Sequence, residues 1–192
     1  MSYIHLTHSQ LGISLLENFG GLGANLVKQA SNSAVKLVQL VLQYLQGFRD
    51  TAIYDGKLIH FYKRAQILVG DLWAAYGRPR ENSSIYYFHD IHELTMFADY
   101  RVPQILRELN ILTYSQDLAE KVDSLVELPF SCREEIEIRA CTVVAVERLH
   151  KILVERGWND LLVIEIDWLL WQRGEKIKDA IKPHHRVLTI YY

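Results

Sequence analysis

Only two cysteines, Cys132 and Cys141, occur in 192 residues, and both lie in a stretch with helical spacing. That separation along one helix is too long for an unstrained disulfide, so free thiols and a reducing compartment are expected. Proline is scarce at 4 and glycine at 10, too few for a linker-rich or disordered chain. Long hydrophobic runs are missing: the longest, between Asp160 and Leu170, is broken by acids well short of a membrane span. No basic segment precedes an apolar one between Met1 and Leu16, so neither leader nor anchor is expected and a cytoplasmic location follows. Excess positive charge is also lacking, since 21 Lys and Arg against 23 Asp and Glu give a net charge of −2 with His neutral. A general DNA or RNA binder, which works by neutralising phosphates, is therefore disfavoured.

What is present is material for a core. Hydrophobic residues make up 49% and aromatic residues 11% of a length that suits one domain able to fold without staples. The apolar spacing is helical nearly throughout, with no internal repeat and no low-complexity tract. Leu11, Leu15, Leu16 and Phe19 form a first short helix that Gly20, Gly21 and Gly23 stop. Asn32 and Ser33 can cap a second helix carrying the stripe Val35, Val38, Val41, Leu42 and Leu45. Asp55 and Gly56 mark a turn with short arms on either side. A helix over about 61–76 ends at Gly77 and Pro79, and a loop over 77–89 follows. Asp90 is expected to cap a short helix reaching Phe97, and Pro103 suits the first turn of the next, which places Asp99 and Tyr100 at its entrance. Helices over about 116–126, 133–156 and 161–173 and a β-like tail over 186–192 complete an all-α, single-domain helical bundle over 1–192.

Three separated segments carry a resemblance. They are Phe61-Tyr62-Lys63-Arg64-Ala65-Gln66-Ile67-Leu68-Val69, Thr95-Met96-Phe97-Ala98-Asp99-Tyr100-Arg101-Val102-Pro103-Gln104, and the ending from His185-Arg186 to Ile190-Tyr191-Tyr192. Glu135 to Ala140, Ile166 to Trp171, and Asn18 to Gly21 with Asn32 to Ala34 add weaker matches. Together they resemble the queuosine salvage family, the queuosine 5′-phosphate N-glycosidases, from about Gly12 onward. The resemblance implies an all-α fold similar to the helical DNA glycosylases. It implies hydrolysis of the N-glycosidic bond of queuosine 5′-phosphate to queuine and ribose 5-phosphate, with no cofactor and no metal. It also implies longer proteins, with an N-terminal portion before the segment matching Leu15 to Gly21 that helps close the base pocket.

Cleaving a ribosyl C–N bond builds positive charge on the sugar, so the chemistry needs a carboxylate near the anomeric carbon. The family motif makes Asp99 that catalytic group; read without it, Asp99 is a helix cap. The base is a 7-deazapurine without N7 to protonate, so the burden on a charge-stabilising carboxylate grows. Lys63, by family match, takes the phosphate as a compact cation, with Arg101 as second choice. A solvated helix face is the ordinary reading of either. A guanine-like edge offers two parallel donors, which Asp167 can accept while Trp168 stacks; alternatively Trp168 and Trp171 pack the core. His185 and Arg186 either line the sugar site or tie down the tail. His89, Asp90, His92 and Glu93 look like metal ligands but have no counterpart in the family motif. Glu135 and Arg139 have the spacing of an ordinary intrahelical ion pair.

The expected partner is thus a small-molecule nucleotide, with no stable nucleic acid and no membrane, and with a homo-oligomer left open. Two rivals remain at this level. One is a shortened relative that binds queuine or nucleotide without turnover, or needs a partner chain to complete its pocket. The other is a DNA or RNA glycosylase of related fold, against which the net charge of −2 argues.

Overall fold

The structure is a computed structural model that describes the backbone of residues 3–192 and the side chains of residues 10–192. The expectation of no leader concerns the first residues, whose side chains lie outside the described set. The chain is mainly helical and forms two compact units, Met1–Asp50 with Tyr62–Leu94, and Thr51–Phe61 with Thr95–Tyr192. No helix among the described residues is long and apolar enough to cross a membrane.

The first unit holds α1 (Tyr3–Phe19), α2 (Gly23–Gln29), α3 (Ala34–Tyr44) and α4 (Lys63–Ala75). α1 starts earlier than the spacing from Leu11 predicts, and it ends where Gly20 and Gly21 take φ of 60° and 77°, a region that costs a residue without Cβ little. Ser33 caps α3 as expected, its hydroxyl accepting from Lys36 N at 3.0 Å. The buried stripe of α3 is Ala34, Leu37, Val38 and Val41, continued by Leu45, while Val35 is turned outward.

Two expectations are corrected here. Asp90 does not start a helix reaching Phe97; only a single 3₁₀ turn, Ile91–Glu93, follows it. Its carboxylate instead caps α3 from across the unit, accepting from Ala34 N at 2.5 Å and from the Ser33 hydroxyl at 2.6 Å. Burial works to raise the Asp90 pKa, but these bonds outweigh it and hold the group below the usual carboxylate range. The orphan N–H groups of a long helix are a better partner for that carboxylate than those of a local turn. Asn32, expected to share the capping, donates its amide to Ser84 O and Tyr87 O at 2.9 and 2.8 Å and so fastens the 77–89 loop.

The second unit opens with a hairpin, β1 (Thr51–Tyr54) against β2 (Lys57–His60), around the left-handed pair Asp55 and Gly56. It continues with α5 (Arg101–Glu108), α6 (Gln116–Asp123), β3 (Glu127–Leu128), α7 (Arg133–Glu155), α8 (Val163–Ile177) and β4 (Arg186–Val187). α6 stops short of Val126 because Leu125 is left-handed, with φ of 60°. α8 starts two residues later than expected and runs on to Ile177. The β-like tail is strand only at Arg186–Val187, which pair in parallel with Glu127–Leu128. Both cysteines are free, and Cys132 serves as the N-cap of α7.

The core of this unit gathers Met96, Ala98, Val102, Leu106, Ile136, Val146, Val163 and Ile166, from the segment before α5 and from α5, α7 and α8. Burying the Met, Val, Leu and Ile side chains of this set contributes about 1.5–3 kcal/mol each. Gly174 lets α5 approach α8, since a Cβ there would stand 2.9 Å from Cγ and Cδ of Arg101.

Candidate active site

Residues 96–99 are buried yet belong to no helix or strand, so their peptide groups have no ladder to satisfy them. Charged side chains take that role. Phe97 N donates to Asp167 Oδ1 of α8 at 3.1 Å, and Ala98 O accepts from Arg139 Nε of α7 at 3.1 Å. The segment therefore arrives at Asp99 held from two helices.

Asp99 is 6% exposed, and its Oδ1 accepts from Arg101 N and Val102 N at 3.1 and 2.9 Å. The cap reading is thus correct for one carboxylate oxygen, and it does not compete with a chemical role, because the cap itself fixes the carboxylate against α5. Asp167 is 3% exposed and lies one residue before Trp168, whose half-buried ring sits 6.4 Å from that of Phe97. Trp171 is 42% exposed, so the reading in which both tryptophans pack the core fails for it.

Arg101 is engaged inside the protein. Its Nε meets Glu175 Oε1 at 2.7 Å, its Nη1 donates to Gln104 Oε1, and its guanidinium lies 5.2 Å from the Tyr100 ring centre. It acts as a strut between α5 and α8, with its charge matched by Glu175. Gln104 extends the tie, donating from Nε2 to Lys182 O at 2.8 Å.

His185 is 1% exposed. Tyr192 donates its hydroxyl to Glu135 Oε1 at 2.7 Å, so the 3.1 Å contact between His185 Nε2 and Tyr192 Oη makes Nε2 the protonated nitrogen and Nδ1 the bare one. Nδ1 is buried without a hydrogen-bond partner. Burial, then the nearby His184 and Arg139, push the His185 pKa down to about 3, and the ring is neutral. His185 therefore braces Tyr192, the tail residue whose hydroxyl is bonded to Glu135 of α7.

A pH dependence follows from that shift. The unfolded chain binds a proton at the ordinary value of 6.5 while the folded chain does not until about 3, so stability is lost as pH falls through that window. His184, also lowered by burial, adds with the same sign. The melting temperature should fall from pH 6.5 towards pH 5, above the range where carboxylates titrate. His185→Gln should flatten that fall; an equally steep fall in the variant would show that another group causes it.

Lys63 lies in the other unit, at the first position of α4. Tyr62 before it is left-handed, with φ of 50°. The fully buried Asp50 secures this start, its carbonyl accepting from Tyr62 N at 3.1 Å and its Oδ2 from Lys63 N at 3.2 Å. Further along α4, burial raises the pKa of Asp71 while the Lys63 charge opposes it.

Asp99, Arg101, Asp167, Trp168 and His185 thus share the second unit, and Lys63 belongs to the first. Sequence reasoning missed Asp50 and the buried set Glu135, Arg139 and Tyr192. For the Glu135 and Arg139 pair, an acid and a base four apart with Ile136, Ile138 and Ala140 beside them was the available signal. Among the described residues no group of three or more His, Cys, Asp or Glu side chains could hold a metal ion. His89, Asp90, His92 and Glu93 are thus not gathered into such a group.

A mainly helical chain whose irregular buried segment carries one acid and is gripped by another defines a class of helical protein with an acidic centre. The family description that matches, queuosine salvage protein, covers residues 5–192, and the chain belongs to that family. A Dictyostelium discoideum protein named queuosine 5′-phosphate N-glycosylase/hydrolase is 50% identical over 95% of this chain and 56% of its own length. A Sphaerobacter thermophilus protein of the same name is 42% identical over 95% of this chain and 55% of its own length. A Mus musculus protein, again so named, is 39% identical over 98% and 57%. The chain spans little more than half the length of these curated relatives.

Proposed function

We propose that this chain hydrolyses the N-glycosidic bond of queuosine 5′-phosphate, adding water across the C1′–N bond to give queuine and ribose 5-phosphate. The observation that supports this best is Asp99, a buried carboxylate on the matching motif, held by two N–H donors and preceded by a segment held from α7 and α8. As the C1′–N bond lengthens, positive charge grows on the sugar ring. A fixed carboxylate beside the anomeric carbon stabilises it without reorganising. Water supplies the hydroxyl at C1′, and its proton ends on the departing base, whose missing N7 leaves little room for prior protonation. Asp167 accepts the two donors of the guanine-like edge with Trp168 as the stacking surface, and His185 keeps the tail beside the sugar. Lys63 takes the 5′-phosphate, a role that rests on the family motif.

Incubation of the purified chain with queuosine 5′-phosphate should release free queuine, detected by mass spectrometry. Tight binding of intact nucleotide without release would favour instead a relative that binds without turnover or needs a partner chain. Lys63→Ala should raise KM for the 5′-phosphate by roughly tenfold or more and leave the free nucleoside almost unaffected, because a point charge on phosphate acts alike in ground and transition states. An unchanged preference for nucleotide over nucleoside would remove Lys63 from phosphate binding.

A further inference from the structure

We infer that Arg139 is a positioning residue for Asp99, and that the Tyr192 hydroxyl, acting through Glu135, holds Arg139 to that task. The catalytic consequence rests on the function proposed above; the positioning itself does not.

Asp99 is tied at its carboxylate to the first N–H groups of α5. The peptide that precedes it is tied elsewhere. Its oxygen, Ala98 O, accepts from Arg139 Nε at 3.1 Å. Because a peptide is planar, holding that oxygen fixes the plane that ends at the Asp99 Cα. With both ends held, the carboxylate has little freedom to drift.

Arg139 is held with equal care. The side chain is 1% exposed, its guanidinium carbon lies 3.9 Å from the centre of the Phe61 ring and 5.2 Å from that of Tyr192, and Nη1 is 3.5 Å from Glu135 Oε1. Glu135 is itself fully buried and braced on both oxygens, Oε1 accepting from the Tyr192 hydroxyl at 2.7 Å and Oε2 from Ser131 N at 3.1 Å. Tyr192 in turn accepts from His185, so the end of the chain is fastened behind Arg139.

A buried ion pair is a poor device for stability alone, since an apolar pair of similar volume packs as well without desolvating two charges. What an apolar pair cannot do is donate to a carbonyl in a buried segment that has no ladder. That donation is what the cluster delivers, one residue away from the proposed catalytic carboxylate. A displacement of about 1 Å at such a group is enough to slow a reaction roughly a hundredfold.

Two variants test this, each read in two ways. Arg139→Met removes the donor; Tyr192→Phe removes one hydroxyl and keeps the ring against Arg139. For Arg139→Met, kcat should fall about 10–100-fold with KM nearly unchanged, and Tyr192→Phe should move kcat the same way by a smaller factor. Independently of turnover, hydrogen exchange at Arg101 and Val102, the amides that Asp99 caps, should quicken in both variants while exchange in the middle of α7 stays as in wild type. Unchanged exchange at those two amides, with or without a loss of kcat, overturns the inference, as does quickening spread evenly over α7. If wild type releases no queuine, the hydrolase reading of this chain fails, and the exchange comparison by itself still decides whether Arg139 sets Asp99.

Discussion

Asp99→Asn should leave the protein folded and able to bind queuosine 5′-phosphate while slowing its hydrolysis by roughly a thousandfold or more, the scale on which loss of one preorganised electrostatic group is felt. Asparagine keeps an oxygen that can accept from Arg101 N and Val102 N, and it caps helices about as well as aspartate. The α5 entrance should therefore survive, with the melting temperature close to wild type. What the substitution removes is the negative charge, and only a role in stabilising the sugar cation depends on that. Single-turnover hydrolysis at saturating substrate separates the roles. A rate within a few-fold of wild type would take Asp99 out of the mechanism and leave it as a cap. Asp99→Ala is the complementary control: it should lose the rate and also about 1 kcal/mol of stability, the usual worth of an N-cap.

That both readings of Asp99 coexist shows what a sequence can and cannot carry here. Pro103 and the apolar residues after it placed a helix entrance at Asp99 and Tyr100, and the entrance is there at Arg101. Asp55-Gly56 placed a hairpin turn, and the strands pair around it with Thr51 opposite His60. α7 followed from a long run of helical spacing and is found at Arg133–Glu155. Each of these signals is local, written within one or two turns of the residues it organises.

The misreadings share the opposite property. Asp90 looked like the cap of its own neighbours and instead caps α3, to which nothing nearby in sequence points. Glu135 and Arg139 do form the intrahelical pair their spacing suggests, but they are buried at 0% and 1% exposure, because Phe61, the 95–99 segment and the tail cover that face of α7. The pair reads the same by spacing whether it faces water or Ala98 O. The ordinary reading of Arg101 as part of a solvated helix face fails because it is buried, and the acid that matches it, Glu175, comes from α8. Tertiary partners decide such residues, and one sequence without its fold does not print them.

The second large effect is expected at Asp167. In the structure it accepts from Phe97 N through Oδ1, and in the proposed function the same carboxylate accepts the two donors of the base edge. Asp167→Asn separates these roles. An asparagine oxygen facing Phe97 N preserves the bond that holds the segment before Asp99, so the fold and the Asp99 geometry should persist. The amide nitrogen then presents donors where the base also presents donors, and the charge is lost. Each hydrogen bond to a charged acceptor is worth about 1.5–3 kcal/mol, so kcat/KM for queuosine 5′-phosphate should fall roughly 100–1000-fold. A substrate analogue without the exocyclic amine gives the decisive contrast. Wild type should handle it poorly, because the bond from the exocyclic amine to the carboxylate is lost, and Asp167→Asn should penalise it far less than it penalises the natural base. Equal losses on both substrates would mean that Asp167 serves only to hold Phe97, and the base would then have to be read by another group.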